Sequence, residues 1–392
     1  MIRTLPIYGR FRLTDRPFLL LNKLILMEIT MNKLEIARKE INVIDRQMAE
    51  LFEKRMAAAR MVAEYKQENG LPVFDPAREV EVIERNASLV ADPELRSYYI
   101  NFLKYNMKLS RNYQHCLMEG MKIAYSGVPG AFAYIAATRI FPDGIPTSYS
   151  SFKDAYAAVE SGECDCAVLP VENSFAGDVA QVMDLAFFGS LYVTGVYDLE
   201  VVQNLLGVPG ATPKTVKKVI SHPQALSQSA HYIEEHGYST EEATNTAVAA
   251  KEVRDIGSTE IAAIASLETA NLYGLEVLEK NVNESSMNTT RFAVFSRAEN
   301  RQLPTDDHFV MFFTVKNEAG ALSRVISIIG ENGFNLKALK SRPTKELIWD
   351  YYFYVEGEGN IYGYEGRKMM NALSSVCSSV KIVGSFDKEK TI

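Results

Sequence analysis

The sequence predicts a multidomain protein with an all-α region, an α/β region and a C-terminal region of mixed strands and helices. From residue 32 to about 115, apolar residues recur at helical spacings without strand-like alternation. From Met121, short apolar runs alternate with helical stretches, and from about residue 304 the patterns follow the order βαββαβ. We therefore expect domains at 31–119, 120–300 and 301–392.

Composition limits the classes of function. The chain has 392 residues, of which 47% are hydrophobic and 23% charged, as in ordinary globular proteins. With 42 Lys and Arg against 49 Asp and Glu, the net charge of −7 argues against a nucleic-acid or anionic-membrane partner. Four cysteines are too few for a disulfide framework. We expect a reducing, cytoplasmic location and no membrane span.

Residues 1–30 allow two interpretations. Their arginines and the apolar run around Phe18–Leu21 suggest a targeting peptide, but Glu28-Ile29-Thr30 does not resemble a cleavage site. We favour a disordered extension, or translation that started upstream of a natural start at Met31.

The all-α region should contain one long helix and two shorter ones. Apolar residues predict the first helix from about Leu34 to Asn69–Gly70, and Asp75-Pro76 and Asp92-Pro93 mark the starts of the others, the last ending near Met118. Because a helix of this length cannot bury its apolar stripe against two short partners, we expect association with a second chain.

Cationic residues on the long helix suggest an anion site, although any one of them could be a solvated surface charge. Arg55 and Lys66 are eleven residues apart, on one face and ~16 Å apart. Arg38 lies ~25 Å from Arg55 along the same helix, so it could join that site only from a partner chain.

Residues 32–116 resemble the all-helical, intertwined type of chorismate mutase. The resemblance implies a Claisen rearrangement of chorismate to prephenate without metal or cofactor. The arginines would hold carboxylates, Lys66 and Gln114 would face the ether oxygen, and Glu79 would accept from the ring hydroxyl. The matching positions are Arg38, Arg55, Lys66, Asp75, Arg78, Glu79, Ser110 and Gln114.

The middle region should form α/β units around a mostly parallel sheet, and it is large enough for two lobes. A zinc site at Cys164 and Cys166 is less plausible than a buried strand, because no second cysteine pair lies nearby. The Gly127–Gly130 turn could present N–H groups to an anion or be only a tight turn. The predicted strands are Ile123–Tyr125, Ala167–Val171, Val216–Ile220 and Ile261–Ala265, and the predicted helices are 131–140, 152–160, 223–235 and 246–254.

Three polar clusters lie where predicted strands end or begin, the edge at which open α/β sheets bind ligands. They are Pro170–Ser174, Ser221–Gln224 with Gln228, and Asn288–Phe292 before a third strand. With these motifs, residues 121–297 resemble prephenate dehydratase, which implies a two-lobed fold like that of periplasmic binding proteins. The implied reaction removes carbon dioxide and hydroxide from prephenate to give phenylpyruvate.

The same resemblance assigns the site residues. Thr290 would donate the proton to the leaving hydroxyl, and the substrate would contact Glu172, Asn173, Ser174, Ser221, Gln228, Arg291 and Phe292. Ala133 departs from the family pattern, in which a serine is common.

The C-terminal region should form a ferredoxin-like fold. The predicted strands are His308–Val315, Asn335–Arg342, Trp349–Glu356 and Val380–Phe386, and the predicted helices are Ala319–Glu331 and Ile361–Ser375. Residues 305–388 resemble the ACT regulatory domain, which implies phenylalanine binding between two chains and feedback inhibition. Lys340 stands where that family usually has glutamate. The implied effector residues are Gly320, Ala321, Leu322, Asn335, Leu336, Ser341, Arg342 and Pro343.

Residues 32–388 are therefore similar to fused chorismate mutase–prephenate dehydratases of phenylalanine biosynthesis, which implies a homodimer or higher homo-oligomer. A non-enzymatic amino-acid sensor with two lobes is the alternative. The sequence does not determine whether the dehydratase substrate is arogenate or prephenate, or whether the assembly is a dimer or a tetramer. It also does not show whether prephenate passes directly between the two sites.

Overall fold

The computed structural model describes residues 16–284, 288–300, 306–343, 351–388 and 390–392, with side-chain environments from residue 33 onward. These residues form two compact units, one up to Gln114 and the other from His115 to Ile392. No helix in the described part of the chain is both long and apolar enough to cross a membrane.

The first unit is helical, as predicted. It contains α1 (Arg16–Glu68), α2 (Pro76–Ala87), a 3₁₀ turn (Pro93–Leu95) and the start of α3 (Arg96–Glu119). Asp75 caps α2 by accepting a hydrogen bond from the Arg78 backbone N–H at 3.0 Å, and Pro76 opens the helix.

Helix α1 begins earlier than predicted. Residues 16–30 are helical, whereas we expected a disordered extension there; residues 1–15 lie outside the described part. After Pro17 this stretch has no glycine or proline and is rich in leucine, so the helix continues upstream without a residue that ends it.

The described residues of the second unit form three sheets. Its strands are β1 (Lys122–Ser126), β2 (Ile145–Tyr149), β3 (Cys166–Asn173), β4 (Gly177–Asp178), β5 (Tyr192–Glu200), β6 (Asn204–Gly207), β7 (Lys218–Ser221), β8 (Ser239–Glu242), β9 (Ile261–Ala265), β10 (Glu276–Glu279), β11 (Thr289–Ser296), β12 (His308–Thr314), β13 (Asn335–Pro343), β14 (Tyr351–Glu358), β15 (Ser379–Phe386) and β16 (Lys390–Thr391).

The helices of this unit cover the sheets. They are α4 (Phe132–Ile140), α5 (Phe152–Ser161), α6 (Ala180–Phe188), α7 (Pro223–Gln228), α8 (Ala230–His236), α9 (Thr246–Ile256), α10 (Leu267–Tyr273), α11 (Ala321–Glu331) and α12 (Tyr364–Val376). The helix predicted over 223–235 is interrupted at Ser229, whose backbone leaves the helical region.

The first two sheets are mixed rather than mostly parallel, which corrects the prediction. The first has the order β16-β5-β11-β3-β1-β2, with β4 beside β3, and the second has the order β10-β6-β9-β7-β8. In the first sheet β11 runs antiparallel between β3 and β5. Pairing of strands so distant in sequence leaves no local pattern, which is why the prediction missed it.

The third sheet has the order β13-β14-β12-β15 and is antiparallel throughout. Phe309, Met311 and Phe313 of β12 pack against α11 and α12 on one face. Val310 and Phe312, pointing the other way, join the core formed by β3, β5, α5 and α6. Strand β14 is described from Tyr351 onward, and Trp349, from which we predicted this strand, lies outside the described residues.

Candidate active sites

In the helical unit, Arg55 of α1 reaches α3. Its Nη1 donates to the Asn106 carbonyl oxygen at 3.2 Å and to the Ser110 hydroxyl. Burial lowers the pKa of this guanidinium from its ordinary value, although arginine remains protonated in proteins. One turn along α3, Gln114 is buried, and its Oε1 has no hydrogen-bond partner among the described residues. The structure thus brings three predicted positions together: Arg55, Ser110 and Gln114.

The other predicted positions of this unit have different surroundings. Lys66 donates to the Val73 carbonyl oxygen at 2.6 Å, and Arg78 pairs with Glu81 at 2.7 Å. Glu79 pairs with Arg111, a cation that the sequence prediction omitted. Asp75, one of the positions that match the family, serves as the N-cap of α2.

Arg38 is exposed and lies on the same continuous helix as Arg55, so the two remain ~25 Å apart within one chain. The apolar stripe of α1 is also exposed: Ile41 is 54% accessible, Ile44 48% and Leu51 63%. In a single chain, therefore, the apolar stripe that we expected a second chain to cover is exposed.

In the second unit, a cleft of about 230 Å³ lies beside the strand ends of both mixed sheets. Three predicted residues line it: Asn173 of β3, Gln228 of α7 and Thr290 of β11. The other lining residues had no assigned role. Three of them, His222, Gln224 and Asn288, belong to the polar clusters predicted at this edge, and the rest are Ala131, Phe132, Val201, Gln203, Ala225, Thr244, Asn245 and Thr246. Of these, Asn245 could have been found as an N-cap, because it accepts from the Val248 N–H at 2.8 Å.

Asn173 is the centre of the hydrogen-bond network in this cleft. Its Nδ2 donates to Thr290 Oγ1 at 2.9 Å and to Asn288 Oδ1 at 3.0 Å. Its Oδ1 accepts from the backbone N–H groups of Phe175 at 3.0 Å and Ala176 at 2.9 Å, and from Gln224 Nε2 at 3.2 Å. The backbone donors fix which end of the amide faces Thr290.

Several predicted substrate contacts lie elsewhere. Ser221 is buried and donates to the Ile264 carbonyl oxygen at 2.6 Å, and the Ser174 hydroxyl accepts from the Thr289 N–H at 3.0 Å. Phe292 belongs to the buried core around β1 and α4. The Thr-Arg-Phe motif lies within β11 rather than before it.

Glu172 and Arg291, predicted substrate contacts, do not line this cleft. Both line a separate cavity of about 30 Å³ with Lys340, Tyr354 and Glu356. The reason is the strand register: Thr290 pairs with Asn173 and Arg291 with Glu172. Since consecutive strand residues point to opposite faces, only the first pair can reach the cleft.

The predicted effector residues lie in different surroundings: some are buried, some are exposed and one forms an ion pair. Gly320 directly precedes α11 and has φ of +81°, a conformation that favours glycine. Because this backbone conformation is not helical, the helix that we predicted from Ala319 begins at Ala321. Ala321 is buried, and Leu322 and Leu336 pack on the same core. Asn335 donates to Glu358 at 2.9 Å, and Ser341 and Pro343 are exposed. Arg342 pairs with Asp184 of α6 at 3.1 Å.

Comparison with known proteins decides the family. Residues 123–300 match the model of prephenate dehydratase, and residues 37–115 match that of chorismate mutase type II. The chain is 30% identical over 283 residues to arogenate dehydratase/prephenate dehydratase 1, chloroplastic, of Arabidopsis thaliana, covering 68% of this chain and 72% of that one. This chain belongs to the prephenate dehydratase family.

Two further relatives extend the comparison. A bifunctional chorismate mutase/prephenate dehydratase of Aquifex aeolicus is 29% identical over 363 residues, covering 91% of this chain and 99% of that one. A solved structure described as GqqA, a novel type of quorum quenching acylase, is 30% identical with a TM-score of 0.64, covering 68% of this chain and 97% of that one. The predicted combination of mutase and dehydratase regions in one enzyme is confirmed, against the non-enzymatic alternative.

The geometry predicts that Ser221 stabilises the fold rather than the substrate. Ser221→Ala leaves the buried Ile264 carbonyl without its donor, so urea unfolding should show a loss of about 1–3 kcal/mol, while dehydratase kcat stays near wild type. Ser227→Ala, at an exposed position of α7, is the matched control and should change neither. A large loss of kcat in Ser221→Ala with unchanged stability would contradict this assignment.

Proposed function

We propose that the helical unit converts chorismate to prephenate and that the cleft of the second unit converts prephenate to phenylpyruvate. The observation that carries the second activity is the contact between Asn173 and Thr290 at the cleft. The first rests on the cluster of Arg55, Ser110 and Gln114.

The hydrogen-bond network supports Thr290 as the proton donor. Because Asn173 Nδ2 donates to Thr290 Oγ1, the hydroxyl's own proton is available to a ligand in the cleft. The donated bond also polarises the oxygen and favours release of that proton. In the reaction, the carbon–carbon bond to the leaving carboxylate breaks and its electron pair enters the ring. The ring hydroxyl departs with the Thr290 proton as water, and solvent then returns a proton to Thr290.

The cleft can bind a dianion through helix N-termini rather than through lysine or arginine side chains. Among the described residues that line it, there is no lysine or arginine. Helix N-termini line it instead, among them Ala131-Phe132 of α4 and Asn245-Thr246 of α9, and their backbone N–H groups favour negative charge. Gln203 Oε1 and Gln228 Nε2 are buried there without hydrogen-bond partners among the described residues, which supports a role in substrate contact.

Two single substitutions should separate the activities. Thr290→Ala removes the proton donor, and dehydratase kcat should fall by about 10²–10⁴-fold while mutase activity remains. Arg55→Ala should lower mutase kcat/KM by about 100-fold or more and leave the dehydratase intact. Assays of both reactions on each purified variant check this. Equal loss of both activities in either variant would contradict separate sites.

For the mutase we propose a homodimer in which the second chain covers the α1 stripe and supplies Arg38. The exposed apolar side chains of α1 and the ~25 Å separation of Arg38 from Arg55 support this arrangement. The bound dianion would then be held by arginines of both chains, which suit carboxylates because of their planar donor geometry. Lys66 and Gln114 would stabilise the charge that develops on the ether oxygen.

Mixed dimers test the shared site. Arg38→Ala and Arg55→Ala proteins should each lack mutase activity, yet a 1:1 mixture after subunit exchange should recover about a quarter of wild-type activity. Half of the dimers are then mixed, and each mixed dimer has one intact site of two. Mutase activity that stays absent after demonstrated exchange would show that Arg38 and Arg55 do not act across chains.

We also propose that the C-terminal sheet with α11 and α12 is a ferredoxin-like ACT domain that binds phenylalanine and inhibits the dehydratase. Its βαββαβ order, the glycine turn before α11 and the exposed Ser341 support this proposal.

The test is dehydratase turnover measured at rising phenylalanine concentration, with mutase turnover on the same sample as the reference. Dehydratase activity should fall with saturable dependence on phenylalanine. An enzyme whose dehydratase does not respond would refute the regulatory role.

A further inference from the structure

Lys340 connects the C-terminal sheet to the strand that carries Asn173. It lies on β13 with its side chain largely buried, and its Nζ is 3.0 Å from Glu172 Oε1 and 2.5 Å from Asp178 Oδ1. Glu172 and Asp178 are register partners across the hairpin of β3 and β4. The ammonium group therefore bridges the two strands of this hairpin.

That hairpin determines the position of the Asn173 amide. Asn173 follows Glu172 directly and pairs with Gly177, whose φ of +76° closes the turn. The backbone N–H groups that hold Asn173 Oδ1 belong to Phe175 and Ala176, inside the same turn. A change in the spacing of Glu172 and Asp178 would therefore move the donors that aim Asn173 Nδ2 at Thr290.

The Lys340 ammonium group is needed to hold Glu172 and Asp178 at their observed spacing, because several carboxylates lie close together here. Four carboxylates, those of Glu172, Asp178, Asp198 and Glu356, surround the described cations Lys340 and Arg291. Burial acts to lower the pKa of Lys340, but the hydrogen bonds and charges of Asp178 and Glu172 outweigh it and raise the pKa overall. Without the ammonium group, Glu172 and Asp178 would repel each other across the hairpin in a partly buried site.

We propose that Lys340, although it lies on the C-terminal sheet, is a positioning residue for the dehydratase reaction that acts through Glu172, Asp178 and the Asn173 amide. The proposal rests on the dehydratase function proposed above. Glutamate in place of Lys340 would add a fifth carboxylate to the cluster.

The test compares Lys340→Met with Lys340→Arg in the full-length protein. Lys340→Met keeps the length of the side chain and removes the charge; dehydratase kcat should fall about 10- to 100-fold, as for a displaced catalytic group, with a smaller change in KM. Lys340→Arg should retain most of the activity. Mutase activity of the same samples should be unchanged. The control Lys217→Met, which removes an exposed ion pair with Glu260, should leave both activities unchanged.

A double substitution distinguishes positioning from general stability. If Lys340 acts through Asn173, adding Lys340→Met to Asn173→Ala should cost little further kcat, because the group to be positioned is already gone. The same fold loss in both backgrounds, or wild-type kcat in Lys340→Met, would overturn the proposal. Absence of dehydratase activity in the wild-type protein would instead overturn the proposed function itself.

Discussion

The register between β3 and β11 is the constraint on which the dehydratase region depends. It sets Asn173 opposite Thr290 and Glu172 opposite Arg291. Successive strand residues alternate between the two faces of a sheet. The side chains of Asn173 and Thr290 therefore face the cleft, and those of Glu172 and Arg291 face the charged cluster that includes Lys340. A shift of one residue would place Thr290 opposite Glu172 or Ser174 instead of Asn173 and would remove the polar contact from the cleft.

The same arrangement ties the C-terminal sheet to the cleft. Lys340 holds Asp178, Arg342 holds Asp184, and Lys381 donates to the carbonyl oxygens of Ala186, Phe187 and Gly189 at 2.5–2.9 Å. These contacts follow one continuous segment from the hairpin after Asn173 to the end of α6. The C-terminal sheet thus contacts the segment that follows Asn173 and its hydrogen-bond network.

Local signals in the sequence predicted much of this fold. Asp75-Pro76 marked the start of α2, and Gly70 lies just beyond the end of α1. The βαββαβ order of the C-terminal region was also predicted. The antiparallel insertion of β11 between β3 and β5 was not, because it pairs Arg291 with Glu172 and Asp198, far away in the chain.

For the candidate sites too, local sequence signals identified some residues, whereas others depend on long-range contacts. Motifs identified Asn173 and Thr290, whose polar side chains meet at the cleft, but they grouped them with Ser221, Phe292 and Arg291, which do not reach it. Strand alternation is by itself enough to separate Thr290 from Arg291, because neighbours along a strand point to opposite faces. The buried hydrogen bond of Ser221 to Ile264 depends on tertiary packing and leaves no sequence signal.

The proposed proton transfer depends on the hydrogen bond from Asn173 to Thr290, which a double-mutant cycle on dehydratase kcat can test. Asn173→Ala, Thr290→Val and the double variant are compared with wild type. If the amide acts by holding and polarising the threonine hydroxyl, the double variant should be no slower than Thr290→Val alone. Losses that multiply in the double variant would show that the two residues act independently, so that Asn173 does not act through Thr290.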